Sequence, residues 1–198
     1  VTAREAIEIA ATGDVGFSCV DTLEARQVAD LMAASFLMPL IDVGVVIPTR
    51  KSGDAIAIGD ACGRIDYVYP GGSTLSDRDV YSAARVRAEY LRGTALDQYR
   101  EEVQAGYIKG MVEEAPAVIT LNMRAAAAAV NEYIARAYPF RLDPNENFAR
   151  TEFSLAACEE DYTAEAAFER GNNSLLARGN LEPLLGLPAL KRPRNAAA

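Results

Sequence analysis

The chain has 198 residues, 50% of them apolar, enough for one α/β domain with a sizeable core. Its 28 acidic and 20 basic residues give a net charge of −8, which disfavours nucleic acid or an anionic membrane as the main partner, because phosphate-rich surfaces repel it. There is no histidine, which excludes a Ser-His-Asp triad, a Cys-His dyad and any imidazole general base from this chain.

The sequence shows neither a run of about 18 apolar residues nor a cationic start followed by an apolar segment, so the expected compartment is the cytoplasm. Cys19, Cys62 and Cys158 are far apart and include no C-x-x-C pair, which argues against a disulfide framework and against a zinc site.

In chain order, the spacing of Ala6, Ile7 and Ala10 predicts a short amphipathic helix over Val1 to Ala10, with a turn at Thr12-Gly13-Asp14. Gly16 to Val20 predicts a short strand ending at Asp21, in which Cys19 reads as a small buried residue. Leu23 to Phe36 carries Val28, Leu31, Met32 and Phe36 at helical spacing, and Pro39 stops that helix before the apolar run Leu40 to Ile47. Two strands joined by a helix make a parallel βαβ unit, and such sheets bind ligands at the carboxyl ends of their strands. Asp21 falls at that place.

Two readings of Asp21-Thr22 stay open and coexist: an N-cap for the following helix, and a ligand contact at a helix start that favours anions. Asp42 interrupts an apolar strand, so its carboxylate needs hydrogen bonds or a strand end to offset a desolvation cost of several kcal/mol. It reads either as an active-site group or as a satisfied structural one. Thr49 to Gly63 reads as a loop or hairpin leading into the alternating strand Arg64 to Tyr69, which a turn at Tyr69-Pro-Gly-Gly ends.

Further on, Ser76 or Asp77 is expected to cap a helix from Asp79 to Arg92, and Ala95 to Gln104 predicts another. Ala115 to Ala137 predicts the longest helix, with Pro116 in its first turn and Glu113-Glu114 ahead of it; its alanine run, Ala125 to Ala129, suggests the most buried helix. Arg124 on it reads either as a contact to substrate carboxylate or phosphate, or as an interhelix ion pair. Phe148 to Leu155 alternates as a last strand. The apolar segment LEPLLGLPAL is expected to dock back on the domain, residues 1–190, and 191–198 to form a disordered tail.

Cys19 to Arg26 (CVDTLEAR) followed by Pro39 to Gly44 (PLIDVG) resembles the ThiF/MoeB/HesA family of ubiquitin-activating-enzyme-like adenylyltransferases, in its second half. Tyr69 to Gly72 (YPGG), Ala115 to Asn122 (APAVITLN) and Leu184 to Leu190 (LLGLPAL) agree with it. The resemblance implies a Rossmann-like three-layer fold, parallel strands continuing into antiparallel ones, with helices on both faces. It implies ATP and Mg2+ as cofactors, Asp21 holding the metal bound to the triphosphate, and Arg26 matching the family's arginine. It implies a small ubiquitin-like or sulfur-carrier protein as partner, its C-terminal tail passing near Asp42 and the turn at Ser73 and Thr74, and a homodimer.

The departures from the family pattern are equally specific. Thr22 stands where the family has asparagine, and Ser73 and Thr74 stand where many relatives have a cysteine, so neither a thioester nor a zinc role carries over. No G-x-G-x-x-G loop is found, so the expected domain is incomplete at its N-terminus. The alternative is a non-catalytic relative serving as a protein-binding or dimerisation module.

Overall fold

The structure is a computed structural model that describes residues 3–52, 55–105 and 118–192. In chain order the elements are α1 (Arg4–Ala10), β1 (Gly16–Ser18), α2 (Leu23–Ser35), β2 (Leu40–Val46), β3 (Thr49–Ser52), β4 (Ala55–Ile58), β5 (Cys62–Val68), α3 (Ala83–Thr94), α4 (Leu96–Gln104), α5 (Ile119–Ala137), β6 (Arg150–Ser154) and β7 (Glu159–Thr163). Five strands form one sheet in the order β1-β2-β5-β6-β7; β1 and β2 are parallel and the remaining neighbours antiparallel. The expected βαβ unit is thus present, and the protein is α/β with a mixed sheet. Strands β3 and β4 form a separate hairpin.

Strand alternation sorts the sheet into two faces. On one, Ile41, Val43, Ile65 and Phe153 pack under Leu121, Ala125 and Ala129 of α5. On the other, Leu40 and Val68 pack with Ala33 of α2 and with Leu75 and Tyr81. The outer side of α2 is covered in turn: Val28 and Met32 join Ile7, Met38, Leu184, Leu185 and Leu190, so the LEPLLGLPAL segment does dock on the domain.

Three expectations are corrected. The helix predicted from Asp79 starts at Ala83, capped by the Ser82 hydroxyl. Before it, Asp79 has φ 56° and the Arg78 side chain is buried, so residues 74–80 form turns that point Arg78 inward. Helix α5 is not the most buried: it packs by one face through Leu121, Ala125, Ala129, Glu132 and Ala135, leaving Ile119, Met123, Val130 and Tyr133 exposed. Helix α2, held between sheet and C-terminal segment, buries more of its length. Cys19 is exposed, because β1 ends at Ser18 and the chain turns outward.

Glu113, Glu114, Pro116 and residues 193–198, for which a helix start and a tail are expected, lie outside the described residues. Within the expected tail, the Arg192 N–H donates to Glu182 at 2.8 Å.

A Cβ at Gly63 would fall 2.1 Å from the ring of its cross-strand partner Phe153, whereas one at Gly93 in α3 meets nothing within 4 Å. In urea titrations Gly63→Ala is expected to lower stability by about 1–3 kcal/mol through overpacking. Gly93→Ala is expected to raise it by about 0.5 kcal/mol, by reducing the freedom of the unfolded chain.

Candidate functional site

The sheet face beneath α2 is where the charge collects. Register places Ser18, Asp42, Asp66 and Arg150 in one cross-strand row, and Gly44, Arg64, Glu152 and Asp161 in the next. Asp42 is fully buried: Ser18 Oγ donates to it at 2.7 Å, Arg64 Nη2 lies at 2.8 Å, and Arg26 reaches it from α2. Asp66, also fully buried, is paired with Arg64, with Arg78 Nη1 at 3.1 Å and with Arg150 Nε at 2.9 Å. Arg78 also pairs with Glu165 at 2.7 Å, donates to Ser73 Oγ and the Ala149 and Tyr67 carbonyls, and stacks on Phe168.

Four guanidiniums and three carboxylates therefore form one connected cluster, with the more exposed Arg170 at its edge, 3.5 Å from Glu165. Removing one partner from such a set costs about 3–5 kcal/mol, because a charge is left buried without its counterion. Burial pushes the Arg64 guanidinium down to about 10, against the pull of Asp42, and it lowers Arg78 and Arg150 in the same sense.

Above the cluster lies a cavity of about 570 Å³, walled by Leu23, Arg26, Arg64, Arg85, Glu152 and Asp161 among others. That size suits a small ligand or a short extended peptide. Gly44 forms part of it; a Cβ there would come within 2.9 Å of Arg64 Nη2, so the guanidinium would have to shift.

The structure brings Arg26, Asp42 and Ser73 into this cluster and leaves Asp21, Thr74 and Arg124 outside it. Arg26 is a buried positioning group, not a surface ion pair: besides Asp42 it donates to the Val20 carbonyl at 2.7 Å and so holds the chain just before Asp21. Asp21 is exposed and makes no hydrogen bond or ion pair among the described residues. The N-cap is Thr22, whose hydroxyl accepts from Ala25. Ser73 is fully buried and its N–H donates to Glu165, so its hydroxyl serves Arg78. Thr74 and Asp77 exchange two reciprocal backbone-to-side-chain bonds. Arg124 lies on α5, across the sheet from Asp42, paired with Glu160 at 3.2 Å and stacked on Phe153.

A magnesium ion carrying phosphates would find one protein ligand here, the exposed carboxylate of Asp21. The start of α2 does not fit a phosphate. Its Leu23 and Glu24 N–H groups already donate to the Glu89 carboxylate of α3, each at 3.1 Å. Among the described residues no group of three or more His, Cys, Asp or Glu is gathered around a metal position.

Sequence reasoning missed Asp66, Arg78, Arg150, Glu165 and Glu89. One signal was present: Arg64-Ile-Asp66 and Arg150-Thr-Glu152 place charges on one face of two strands, as Asp42 does on a third. No protein-family model matches this chain, and no curated protein sequence matches it.

The turn carrying Arg78 is pinned by Asp30 of α2, which accepts from Leu75 N at 3.0 Å, Ser76 N at 3.4 Å and Tyr81 Oη at 2.9 Å. Burial pushes this carboxyl up to about 6 from 3.8, against those hydrogen bonds. The folded protein then holds the Asp30 proton more tightly than the unfolded chain. Its contribution is fully present below about pH 4 and is lost as pH rises through 6, on the order of 3 kcal/mol in all. Unfolding titrations of the Asp30→Asn variant are expected to lack this component of the wild-type slope between pH 4 and 6.

Proposed function

We propose that this chain provides the carboxylate-activating part of a ThiF-type adenylyltransferase, with the Rossmann-like arrangement of that family. The partner is a small ubiquitin-like or sulfur-carrier protein. The observation that carries this reading is the βαβ unit with exposed Asp21 beyond its first strand, just ahead of the helix whose Leu23 and Arg26 line an arginine-walled cavity.

ATP supplies the adenylyl group: a carboxylate oxygen of the partner attacks the α-phosphorus, the bond to the bridging oxygen breaks, and pyrophosphate leaves. Asp21 would hold a magnesium ion on the triphosphate, and that metal would supply neutralisation of charge on the phosphate oxygens. Arg26 fixes the loop before Asp21 by tying the Val20 carbonyl to Asp42. The cavity orients the tail, so the acceleration comes from positioning and electrostatics.

Exchange of radiolabelled pyrophosphate into ATP, measured on the chain and on the longest polypeptide its gene encodes, tests this. Exchange is expected to require a partner with a free C-terminal carboxylate and to fall at least about 100-fold in Asp21→Ala. Partner binding without exchange in either form would overturn the enzymatic reading.

The second reading, a binding or dimerisation module, is favoured by α5. Ile119, Met123, Ala126, Val130 and Tyr133 alternate at spacings of four and three along its exposed side, the pattern of a helix-pairing seam. Under that reading sedimentation velocity is expected to show a dimer that Met123→Glu with Val130→Glu converts to monomer. A wild-type chain that stays monomeric at every concentration contradicts it.

A further inference from the structure

The cavity floor includes one cross-strand row, with Gly44, Arg64, Glu152 and Asp161 as successive partners on β2, β5, β6 and β7. At about 4.8 Å per strand interval the row is about 14 Å long, room for about four residues of extended chain.

The charges around this row differ in what they have left to offer. Arg26, Arg64, Arg78 and Arg150 are all engaged with Asp42, Asp66, Glu165 or backbone carbonyls. Among the described residues, the lining side chains of Arg85, Asp79, Glu152 and Asp161 make no hydrogen bond or ion pair. Arg85 stands in the first turn of α3, where its N–H donates to the Ser82 cap and the helix start adds positive potential. Glu152 and Asp161 are direct cross-strand partners of like charge; Glu152 also feels the Arg150 guanidinium, and a cationic group above the pair relieves the repulsion further.

We infer that Arg85 is the ligand-facing cation of this cavity, and that Glu152 and Asp161 make the cavity selective for an anionic terminus accompanied by a basic side chain. The inference deepens the reading of the cavity as a carboxylate site and rests on it. A lone anion meets Arg85 as the unpaired guanidinium against the carboxylates of Asp79, Glu152 and Asp161, the first two of which also feel Arg150, and is disfavoured. A peptide end with a lysine or arginine two to four residues before its carboxylate satisfies both sets.

The test uses the full chain and synthetic peptides, with binding read by calorimetry. The probes are Ala-Lys-Ala-Gly with a free carboxylate, the same peptide as its C-terminal amide, and Ala-Glu-Ala-Gly with a free carboxylate. Arg85 is exposed, so Arg85→Ala is expected to fold, which circular dichroism checks. It is expected to weaken the free-acid lysine peptide about tenfold, the scale of one charged hydrogen bond, and to leave the amide unchanged. Glu152→Gln with Asp161→Asn is expected to abolish the preference for lysine over glutamate. If the free-acid peptide binds wild type and Arg85→Ala equally, the Arg85 assignment is overturned while the carboxylate reading stands. If no peptide binds the wild-type chain, both are overturned.

Discussion

Asp42 and Asp66 are register partners on adjacent strands, side by side on one face and both fully buried. Two like charges in that position repel each other strongly in a medium from which water is excluded. The fold resolves the conflict by sending guanidiniums to them from four places: Arg26 from α2, Arg64 from β5, Arg78 from the turn before α3 and Arg150 from β6. Each arginine fixes the element that carries it. Arg26 ties α2 to the sheet, and Arg78 ties in the turn at 74–80 and, through Glu165, the segment after β7.

The site inherits its character from this constraint. Because the cluster consumes its own arginines, the cavity above it is less cationic than a count of its lining arginines suggests. The lining charges outside the cluster's ion pairs are Arg85 on α3, Asp79 before it and the acidic pair on β6 and β7. At α2, likewise, Glu89 occupies the helix start, and the carboxylates of Asp21 and Glu24 beside it have no ion pair among the described residues.

Much of the sheet was legible in the sequence. The apolar run at 40–47, the helix before it and the alternation at 64–69 and 148–155 correspond to β2, α2, β5 and β6 within a few residues. Asp42 was recognisable as a carboxylate that needs partners, because its neighbours are Ile41 and Val43. Its partners were not: alternation identifies a strand and its faces but not which faces are covered, and Arg64 and Asp66 read equally well as a solvated side. The long-range contacts were out of reach of local pattern. Glu165 meets Arg78 across 87 positions, and Leu184 and Leu185 cover α2. The start of α3 was misplaced because Ser76 and Asp77 resemble a cap; both are engaged in turns pinned by Asp30 and Thr74.

The dependence of the whole arrangement on the buried carboxylates is open to one direct measurement, the urea unfolding free energy of Asp66→Asn beside that of Asp79→Asn. Asp79 is an exposed carboxylate of the same cavity with no ion pair among the described residues. The account predicts that Asp66→Asn loses about 3 kcal/mol or more, because Arg64, Arg78 and Arg150 are left facing an uncharged amide, while Asp79→Asn stays within about 0.5 kcal/mol of wild type. Equal, small effects of the two substitutions would contradict it.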